Sequence, residues 1–576
     1  MGANSFRAAS EAVVQRAEAR VDKSCVATRY HRLPRKLADD YIINDAAVLG
    51  RGSTGAVLAA TRRGSEQTFA VKTVNLRGVS SETRGYIATE VELFLGMDHP
   101  HVTRLFDVYE GDCELNFVME RMEGGELLDR VIQRECYCEP DAAKAAWQML
   151  LCLNYIHSHG IVHRDVKMEN FMYVRKDTDH LKLIDFGLSK VWDKSTKMQA
   201  SCGTLGYIAP EVLDGSYTSQ CDLWSFGVVM YTLLAGHMPF QGSEGQQMVL
   251  IMSGMYDMDT KEWEKISPDA KDFVQQLLCV DVSKRLTAEQ ALQHKWLDSR
   301  HSSSTGGLAS RSVVDAGVVE ALRKFSQATK FRRACMSVMA WSLSHEERRS
   351  VHEAFLALDK SRQGTIKLWQ LRDVLSNTFD VEDKEVAQIF SALDTTHDEE
   401  IHYSAFLAAM ISSRIALHDK LLHSAFNRFD LDGSGRVTSE GLADLFGQSF
   451  QGKDLEDLLQ EVNARYGGSL TYNDFVTYLT SGQDDSEHLA RVDGANCVID
   501  SKVAQDPAMQ TLVRERSGAI PRKAGSRVRH SAEKLQTREV EQLTERSSSG
   551  LKRRASSTSC HESEERSVHP RTATCH

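Results

Sequence analysis

The sequence contains no long hydrophobic run, since no apolar stretch approaches the roughly 18–20 residues that a membrane-spanning helix needs. The most apolar stretch, residues 226–236, has the length of a buried core helix. The chain also lacks an N-terminal signal peptide, and its 12 cysteines include no C-x2-C pair. These absences argue against a membrane protein, a disulfide-bonded secreted protein and a structural zinc site. We therefore expect a soluble protein of the cytoplasm.

Length and charge indicate that the chain has several parts. A chain of 576 residues is too long for one hydrophobic core, so two folded domains with tails are expected. Most of the net charge of −11 lies in residues 344–480, whereas residues 511–576 are net basic. An acidic region suits cation binding or a basic partner helix, and a solvated acidic surface is the alternative. We expect no nucleic-acid partner.

The order of the predicted elements indicates an α+β domain in residues 41–297. Strands are predicted first, including residues 68–74 and 115–119. Helices are predicted later, including residues 141–157 and 221–235. This order favours a sheet-rich small lobe followed by a helical large lobe.

The regions on either side of this domain are less regular. Residues 1–40 form a polar, basic N-terminal extension with a helix predicted around residues 10–21 and no core of its own. A linker and junction occupy residues 298–343. Within it, residues 313–343 place apolar side chains at helical spacing with Arg and Lys between them, which predicts one basic amphipathic helix. The polar, serine-rich residues 481–576 predict a disordered basic tail.

Six short motifs in the first half follow one another in the order that phosphoryl transfer requires. They are G-x-G-x-x-G-x-V at residues 50–57, Ala70-Val71-Lys72, His163-Arg164-Asp165, Asn170, Asp185-Phe186-Gly187 and Ala209-Pro210-Glu211. A glycine loop alone is weak evidence, but the ordered set is specific. Glycines without Cβ atoms allow a backbone loop to close over phosphate groups. This half of the chain resembles the eukaryotic Ser/Thr protein kinase family.

The resemblance implies a catalytic role for four residues. Asp165 is expected to act as the base for the substrate hydroxyl, and Lys167 to stabilise the transferring phosphoryl group. Lys72 is expected to contact the α- and β-phosphates. Glu90 is its expected ion-pair partner, with an ordinary helix-surface acid as the alternative.

The resemblance also implies a site for ATP and magnesium. Asn170 and Asp185 are the expected magnesium ligands. Met119 is interpreted as the gatekeeper and Glu120 as the hinge residue at which adenine meets the backbone, while Glu126 reaches the ribose. The expected ATP-binding set is Gly50, Arg51, Gly52, Ser53, Gly55, Val57, Ala70, Lys72, Met119, Glu120 and Glu126.

Other residues of the resemblance concern the protein substrate. Lys167, two residues after Asp165, is typical of Ser/Thr kinases, and Thr204 fits the matching substrate-binding segment. Glu126 and Glu169 favour substrates with arginine upstream of the acceptor hydroxyl, through charge pairing.

An internal repeat occupies residues 344–480. Four loop-like segments lie between Phe-containing helical stretches, at intervals of 35, 36 and 33 residues, and begin at Asp359, Asp394, Asp430 and Asn463. They resemble EF-hand loops. A kinase domain, a basic junction and such a module in one chain resemble the calcium-dependent protein kinases of plants and protists. In that family the junction occupies the kinase without calcium, and calcium-loaded EF hands withdraw it. The expected fold is therefore multidomain, with a bilobal α+β protein kinase fold followed by an all-α, calmodulin-like EF-hand domain of four repeats.

All four loops depart from the EF-hand pattern at positions that bind calcium, and three of them do so at two or more positions. Loop one (residues 359–370), loop two (residues 394–405) and loop four (residues 463–474) have altered ligands, turn glycines or final acids. We expect these three loops to be mostly structural. The altered residues are Lys367, Gln370, Glu399, Ala405, Arg465 and Asp474.

Loop three (residues 430–441) is closest to the pattern. Its expected calcium ligands are Asp430, Asp432, Ser434, Arg436 through its carbonyl, and Glu440. Glu440 stands at position 11 of the loop, where the pattern requires position 12, so weakened calcium binding is expected.

Apolar residues at position 8 of the loops provide a way to fold without calcium. These residues, expected to pair as short strands, are Ile366, Ile401, Val437 and Leu470. Calcium control of a Ser/Thr kinase is the leading hypothesis. One alternative is an active kinase whose module is a calcium-insensitive docking scaffold, and the other is an ATP-binding signalling scaffold.

The two ends carry weaker signals. Gly2 suggests N-myristoylation, but Phe6 stands where Ser or Thr is expected, so a membrane partner is expected only if Gly2 is acylated. Residues 552–556 resemble a basic phosphorylation site, which suggests autophosphorylation of Ser556, and a solvated basic tail is the alternative.

Overall fold

The structure is a computed structural model of the chain. The chain divides into two units, Met1–Ser481 and Gly482–His576, and the second unit lies outside the described residues, as does the predicted tail. Among the helices that are described, none is long and apolar enough to cross a membrane. The described residues are 12–17, 26, 28–52, 55–134, 137–193, 196–199, 202–301, 314–446, 459–460, 462–463 and 466–480.

A twisted sheet with two helices forms the small lobe of a two-lobed domain. Its strands are β1 (Tyr30–Arg32), β2 (Tyr41–Gly52), β3 (Gly55–Arg62), β4 (Thr68–Asn75), β5 (Leu105–Glu110) and β6 (Glu114–Glu120), and its helices are α1 (Leu37–Asp40) and α2 (Ser81–Gly96). The sheet order is β1-β5-β6-β4-β3-β2, and only β1 and β5 pair in parallel. Ser80 caps α2 by accepting a hydrogen bond from the Thr83 amide. The predicted strands at residues 68–74 and 115–119 are confirmed as β4 and β6.

The N-terminal extension packs against this lobe. Val13 and Ala17, in a helical stretch at residues 12–17, are buried in the core of the two-lobed domain. Arg16 forms an ion pair of 2.6 Å with Glu92 of α2. Strand β1 then lies beside β5, where the Arg29 carbonyl accepts a hydrogen bond from the Val108 amide. The described part of the extension therefore completes the lobe.

Helices dominate the large lobe. They are α3 (Leu127–Arg134), α4 (Glu139–Ser158), α5 (Pro210–Leu213), α6 (Gln220–Ala235), α7 (Glu244–Ser253), α8 (Lys261–Glu264), α9 (Pro268–Leu277) and α10 (Ala288–Leu292). Short antiparallel pairs join β7 (Ile161–Val162) to β10 (Lys190–Val191), and β8 (Phe171–Tyr173) to β9 (Leu181–Leu183). The predicted helices at residues 141–157 and 221–235 are confirmed as α4 and α6. Residues 221–235 of α6 are buried, so this helix is the centre of the lobe.

The junction consists of two helices, so the prediction of one continuous helix is wrong. They are α11 (Ala316–Gln327) and α12 (Lys330–Ser342). Ala328 adopts an extended conformation between them, and the Thr329 hydroxyl accepts a hydrogen bond from the Arg332 amide. A threonine that caps a new helix competes with continuation of the preceding one, which accounts for the break.

The helical module follows the junction and has its own hydrophobic core, which includes apolar residues of both junction helices. Its helices are α13 (His345–Leu358), α14 (Leu368–Phe379), α15 (Asp383–Leu393), α16 (Tyr403–Met410), α17 (Asp419–Phe429), α18 (Ser439–Phe446) and α19 (Tyr472–Thr480). Its strands are β11 (Ile366–Lys367), β12 (Glu400–Ile401), β13 (Arg436–Thr438) and β14 (Ser469–Thr471). Ile366 pairs with Ile401 and Val437 with Leu470, as the position-8 pattern predicts.

Polar groups join the helical module to the two-lobed domain. Arg348 of α13 bonds to the Glu120 carboxylate at 2.5 Å, and the Ser404 amide donates to the Asp98 carboxylate at 2.6 Å. All four residues are buried, so leaving either partner of such a contact unpaired is costly. The module is thereby fixed against β6 and the segment that follows α2.

Loop one of the helical module contacts the large lobe of the two-lobed domain. Its Gly364 has φ +79°, and a Cβ there would lie 2.5 Å from the Tyr155 ring and 2.6 Å from the His99 ring. Asn154 of α4 donates a hydrogen bond to the Arg362 carbonyl at 2.6 Å. Loop one is therefore a docking loop in this structure, and glycine is required at its closest approach.

Candidate active site

The glycine-rich segment is the hairpin between β2 and β3. Gly52 lies opposite Gly55 at its tip. Gly55 has φ +143°, and a Cβ at this position would lie 2.9 Å from the Thr73 carbonyl oxygen. Only glycine fits that conformation and contact. Ser53 and the side chain of Arg51 lie outside the described residues.

The sheet beneath the hairpin brings the predicted nucleotide-binding residues together. Gly50 and Lys72 each lie opposite Val57, on β2 and β4 respectively, and Ala70 of β4 lies opposite Met119 of β6. A Cβ on Gly50 would have open space within 4 Å. Val57, Ala70 and Met119 therefore lie on neighbouring strands beside the glycine-rich hairpin, an arrangement that suits a flat heterocycle followed by phosphates.

The side chain of Glu120 lies away from this surface. Its carboxylate is buried and bonds to Lys182 at 2.7 Å and to Arg348 at 2.5 Å. Burial raises the pKa of Glu120, but the two cations outweigh it and hold the pKa well below the ordinary value. Only the backbone of Glu120 is left for the predicted hinge role. No local motif identifies Arg348 as its partner, because the two residues are 228 positions apart.

An ion pair connects the sheet to helix α2. Lys72 Nζ lies 2.6 Å from Glu90 Oε1 and 3.8 Å from Asp185 Oδ1. Burial opposes the charge of Lys72, but Glu90 and Asp185 raise its pKa above the ordinary value. The lysine is therefore cationic, as contact with phosphate oxygens requires, and the structure places Glu90 in the position predicted from sequence.

Aromatic packing fixes the segment that carries Asp185. The Phe186 ring is buried, with centroid distances of 5.0 Å to Phe94 of α2 and 5.5 Å to His163. His163 Nε2 lies 2.6 Å from the Asp185 carbonyl oxygen. The position of α2, and with it Glu90, is thus linked to the loop that precedes Asp165.

Asp222, at the start of α6, anchors that loop. Its carboxylate accepts hydrogen bonds of 2.8 Å from the His163 and Arg164 amides. Arg164 has φ +66°, an uncommon conformation for a side chain without special support. The two hydrogen bonds supply that support. The partners of Asp222 are 58 and 59 positions away in the sequence, so no local motif predicts these contacts.

Three polar side chains surround the predicted catalytic base. Asp165 Oδ2 lies 2.6 Å from Lys167 Nζ, and the Thr204 hydroxyl donates to Asp165 Oδ1 at 2.9 Å. Asn170 Nδ2 donates to the Asp165 carbonyl at 2.8 Å. Burial raises the pKa of Asp165, but hydrogen bonds from Lys167 and Thr204 lower it below the ordinary value. The carboxylate is therefore ionised near neutral pH and can accept a hydrogen bond from a hydroxyl group.

Two further carboxylates lie near this group. Burial, followed by the nearby Asp129 and Glu169, raises the pKa of Glu126. Glu169 also accepts a hydrogen bond of 3.4 Å from the Tyr207 hydroxyl. Two neighbouring carboxylates favour a cationic guest, because a positive charge between them relieves their mutual repulsion.

Loop three brings together four of its five predicted calcium ligands. The Asp430 carboxylate accepts hydrogen bonds from the Ser434 and Gly435 amides, and Asp432 also accepts one from Ser434. The Ser434 hydroxyl donates to the Arg436 carbonyl at 3.3 Å. Burial and the adjacent Asp432 raise the pKa of Asp430.

The fifth predicted ligand of loop three does not join this group. Glu440 is exposed at the start of α18, while Thr438 accepts a hydrogen bond from the Gly441 amide. Carboxylate, hydroxyl and carbonyl oxygens suit calcium, but the final bidentate acid is missing from the set. Among the residues described, no group of three or more His, Cys, Asp or Glu side chains is arranged to hold a metal ion.

Internal contacts occupy the potential ligands of loops one and two. Asp359 accepts a hydrogen bond of 2.7 Å from the Gly364 amide, as Asp430 does from Gly435 in loop three. What differs in loop one is the final position, where Gln370 accepts a hydrogen bond of 2.6 Å from the Lys367 amide. In loop two, Asp398 lies 2.9 Å from His402. These contacts agree with the structural role predicted for the two loops.

Comparisons with known proteins agree with this geometry. The protein kinase domain family model matches residues 43–297, so the two-lobed domain is the kinase domain. Calcium-dependent protein kinase 5 of Plasmodium falciparum is 31% identical over 452 residues, which cover 77% of this chain and 78% of that protein. Calcium-dependent protein kinase 34 of Arabidopsis thaliana is 34% identical over 445 residues, which cover 76% of this chain and 84% of that protein. Calcium-dependent protein kinase 4 of Plasmodium berghei is 32% identical over 446 residues, which cover 74% of this chain and 84% of that protein.

Among solved structures, the twitchin kinase region of C. elegans is 34% identical and covers 46% of this chain and 47% of its own, with a TM-score of 0.43. These relatives match over 445–452 residues, far more than the kinase region at residues 43–297, at identities of 31–34%. The chain is a protein kinase and belongs to the calcium-dependent protein kinase family.

Proposed function

We propose that this protein transfers the γ-phosphoryl group of ATP to Ser and Thr hydroxyls of protein substrates, under calcium control. The observation that carries the proposal is the group formed by Asp165, Lys167 and Thr204. An ionised Asp165 orients the acceptor hydroxyl and takes its proton, while Lys167 offsets the negative charge of the transferring group. The contacts of Asp165 with Lys167 and Thr204 fit phosphoryl transfer to a Ser or Thr hydroxyl.

The nucleotide site supports this assignment. Lys72, held by Glu90, is positioned to contact the α- and β-phosphates under the β2–β3 hairpin. The carboxylate of Asp185 and the amide oxygen of Asn170 are hard oxygen donors, which fit magnesium. When bound, magnesium would neutralise charge on the phosphate oxygens. A nucleotide-binding scaffold without transfer activity is not favoured, because every one of these groups is present.

Phosphate transfer to a serine peptide with upstream arginines tests the catalytic proposal. The full chain should phosphorylate the peptide in Mg-ATP, and Asp165→Ala should abolish transfer. Asp177→Ala, in an exposed loop of the same lobe, is the matched control and should keep full activity. Equal activity of the Asp165→Ala and wild-type chains would refute the assignment of Asp165.

Calcium regulation rests on the family and on the way the module holds the junction. Arg323 of α11 forms an ion pair with Glu385 of α15, and Arg332 of α12 donates to the Leu479 carbonyl of α19 at 2.6 Å. A module that grips the junction in this way can shift its position if calcium changes the affinity of one state over the other. Loop three is the proposed sensor, with Asp430, Asp432, Ser434 and the Arg436 carbonyl as ligands.

A calcium titration of kinase activity separates sensor from scaffold. Activity should rise with calcium in the full chain and become independent of calcium in Asp430→Ala. Asp394→Ala, at the same position of loop two, is the control and should retain the response. Equal activity in calcium and in chelator would instead favour the calcium-insensitive docking module.

Substrate preference and location are further parts of the proposal. Glu126 and Glu169 are proposed to pair with basic residues upstream of the acceptor hydroxyl. A cytoplasmic location and the acylation of Gly2 stay predictions, and Gly2 lies outside the described residues, as does Ser556.

A further inference from the structure

Five histidines meet where the helical module packs against the kinase domain. We call them the histidine cluster: His99, His101 and His180 of the kinase domain, and His345 and His352 of α13. The ring centroids of His101, His180 and His352 form a triangle with sides of 4.9, 5.0 and 5.4 Å. His345 lies 5.0 Å from His180, and His99 lies 5.7 Å from His101.

Hydrogen bonds inside the kinase domain fix two of these rings. His101 Nδ1 lies 2.9 Å from the Leu181 carbonyl, and His180 Nε2 lies 3.1 Å from the Pro100 carbonyl. His101 Nε2 is buried and has no hydrogen-bond partner among the described residues. His99 stacks on Tyr155 with a centroid distance of 4.8 Å. These contacts hold the rings in place, and a proton added to His101 Nε2 would have no acceptor among the described residues.

Cations surround the cluster, and their counter-charges are already engaged. Lys182 of β9 and Arg348 of α13 both act on the cluster and both bond to Glu120. A proton added to any ring therefore brings further positive charge into a buried region where the nearest carboxylate is already paired. The charged or titratable groups that face the cluster from the packed elements are Lys182, Arg348, Arg104, Glu120, Asp98, Glu346, His159, Tyr155 and Tyr403.

We propose that protonation of the histidine cluster releases the helical module from the kinase domain, so that this interface opens as the pH falls. The module contributes His345 and His352, and the kinase domain contributes the other three, so separation lets all five rings return to water. No arrangement of three or more ligating side chains fit for a metal ion occurs among the described residues, which favours a proton over a metal as the ligand.

The pKa values of the five histidines are shifted in the direction that this mechanism requires. Burial, followed by neighbouring cations and histidines, lowers the pKa of all five histidines. Burial lowers the pKa of His101 from 6.5 to about 4. A histidine with a lowered pKa stabilises the docked state fully above pH 6.5, and that contribution is lost as the pH falls below it. For a histidine such as His101, the docking constant falls roughly tenfold between pH 7.5 and 5.5 if release restores the ordinary value.

The buried carboxylates of Glu120 and Asp107 at the interface do not account for an effect in this pH range. Despite burial, Arg348 and Lys182 hold the pKa of Glu120 far below its ordinary value, and Arg428 and His31 do the same for Asp107. Groups with lowered carboxyl pKa values lose their contribution only as the pH falls below about 4. Glu120 and Asp107 therefore remain ionised at pH 5.5, whereas the histidines of the cluster take up protons when they are released into water.

The Ser404 amide provides a direct reporter of docking in the full chain. It donates to Asp98 of the kinase domain at the first turn of α16, so its protection from hydrogen exchange depends on the interface. After correction for the intrinsic rate at each pH, its protection factor in the wild type should fall at least tenfold from pH 7.5 to 5.5. Residue-level hydrogen exchange read by mass spectrometry measures this change.

Two variants separate the cluster from other acid effects. His180→Gln combined with His352→Gln should keep most of the Ser404 protection at pH 5.5, and His423→Gln, an exposed histidine of the module, should behave as the wild type. If the interface of the double variant is already open at pH 7.5, the single variant His345→Gln provides the same comparison. It should retain a smaller fraction of the Ser404 protection at pH 5.5. Constant protection in the wild type across this range, or an equal loss in wild type and cluster variants, would overturn the proposal. Kinase activity is not needed as a readout, so the outcome is independent of calcium control.

Discussion

Arg428 of the helical module and Asp107 of the central kinase sheet form a buried ion pair, with Arg428 Nη1 2.9 Å from Asp107 Oδ1. Both side chains are at most 5% exposed. The same guanidinium group donates to the carbonyl of Thr28, which lies just before the N-terminal edge strand. One side chain therefore joins the module, the kinase sheet and the N-terminal extension.

Removal of this cation should destabilise the docked chain strongly. Arg428→Met leaves the buried Asp107 carboxylate with fewer partners, and breaking a buried pair in this way costs about 3–5 kcal/mol. Urea denaturation of the full chain measures the loss. Arg372→Met, which removes an exposed pair with Asp383, is the control and should change stability by less than about 1 kcal/mol. A similar small change for both variants would contradict the role assigned to Arg428.

Substitution of the two hairpin glycines should distinguish a position where a side chain is strained, Gly55, from one where it meets open space, Gly50. Gly55→Ala places a methyl group against the Thr73 carbonyl at a positive φ, so a loss of about 1–3 kcal/mol and weaker ATP binding are expected. Gly50→Ala faces open space and should be tolerated. Thermal denaturation and the KM for ATP measure the two effects. Equal tolerance of both substitutions would show that the hairpin relaxes around residue 55.

Loss of the ion pair between β4 and α2 should reduce catalysis with little effect on folding of the module. Lys72→Met removes the cation facing the phosphates and should lower kcat about 10²- to 10³-fold. Glu90→Gln keeps the lysine but weakens its position, so a smaller loss is expected. Initial rates at saturating peptide, with exchange of the Ser404 amide as a folding control, distinguish the two. An unchanged rate for Lys72→Met would contradict the proposed nucleotide contact.

The paired acids near the acceptor site should determine the preference for basic substrates. Glu126→Gln together with Glu169→Gln removes both negative charges, so kcat/KM for a peptide with upstream arginines should fall by roughly tenfold or more. A matched peptide with alanines at those positions should be affected little. The ratio of the two kcat/KM values is the measurement, and a ratio unchanged by the double substitution would remove these acids from the specificity proposal.

The sequence predicts most of the site because its signals are local. Gly50 to Val57, Lys72, Asp165 to Asn170 and Asp185 each belong to a short motif whose spacing predicts its role. The short strands of the loops are also local, and Ile366 does pair with Ile401.

Contacts between distant segments are what the sequence does not reveal. The break at Ala328 depends on whether Thr329 caps a helix or continues one, and periodicity alone does not distinguish these outcomes. The orientation of Glu120 depends on Arg348, 228 residues later, and His101 meets His352 only where the two domains pack together. Such pairs have no spacing rule, because they arise from how two finished surfaces fit together.

Strand β1 also affects how this chain can be shortened. Without it, β5 would be the last strand of the sheet and would present unpaired amide and carbonyl groups to other molecules. A fragment that begins at Tyr41, near the start of the matched kinase region, would carry that open edge into solution. Self-association of such a fragment should therefore be judged as a consequence of the missing strand and kept apart from any natural tendency of the full chain to form oligomers.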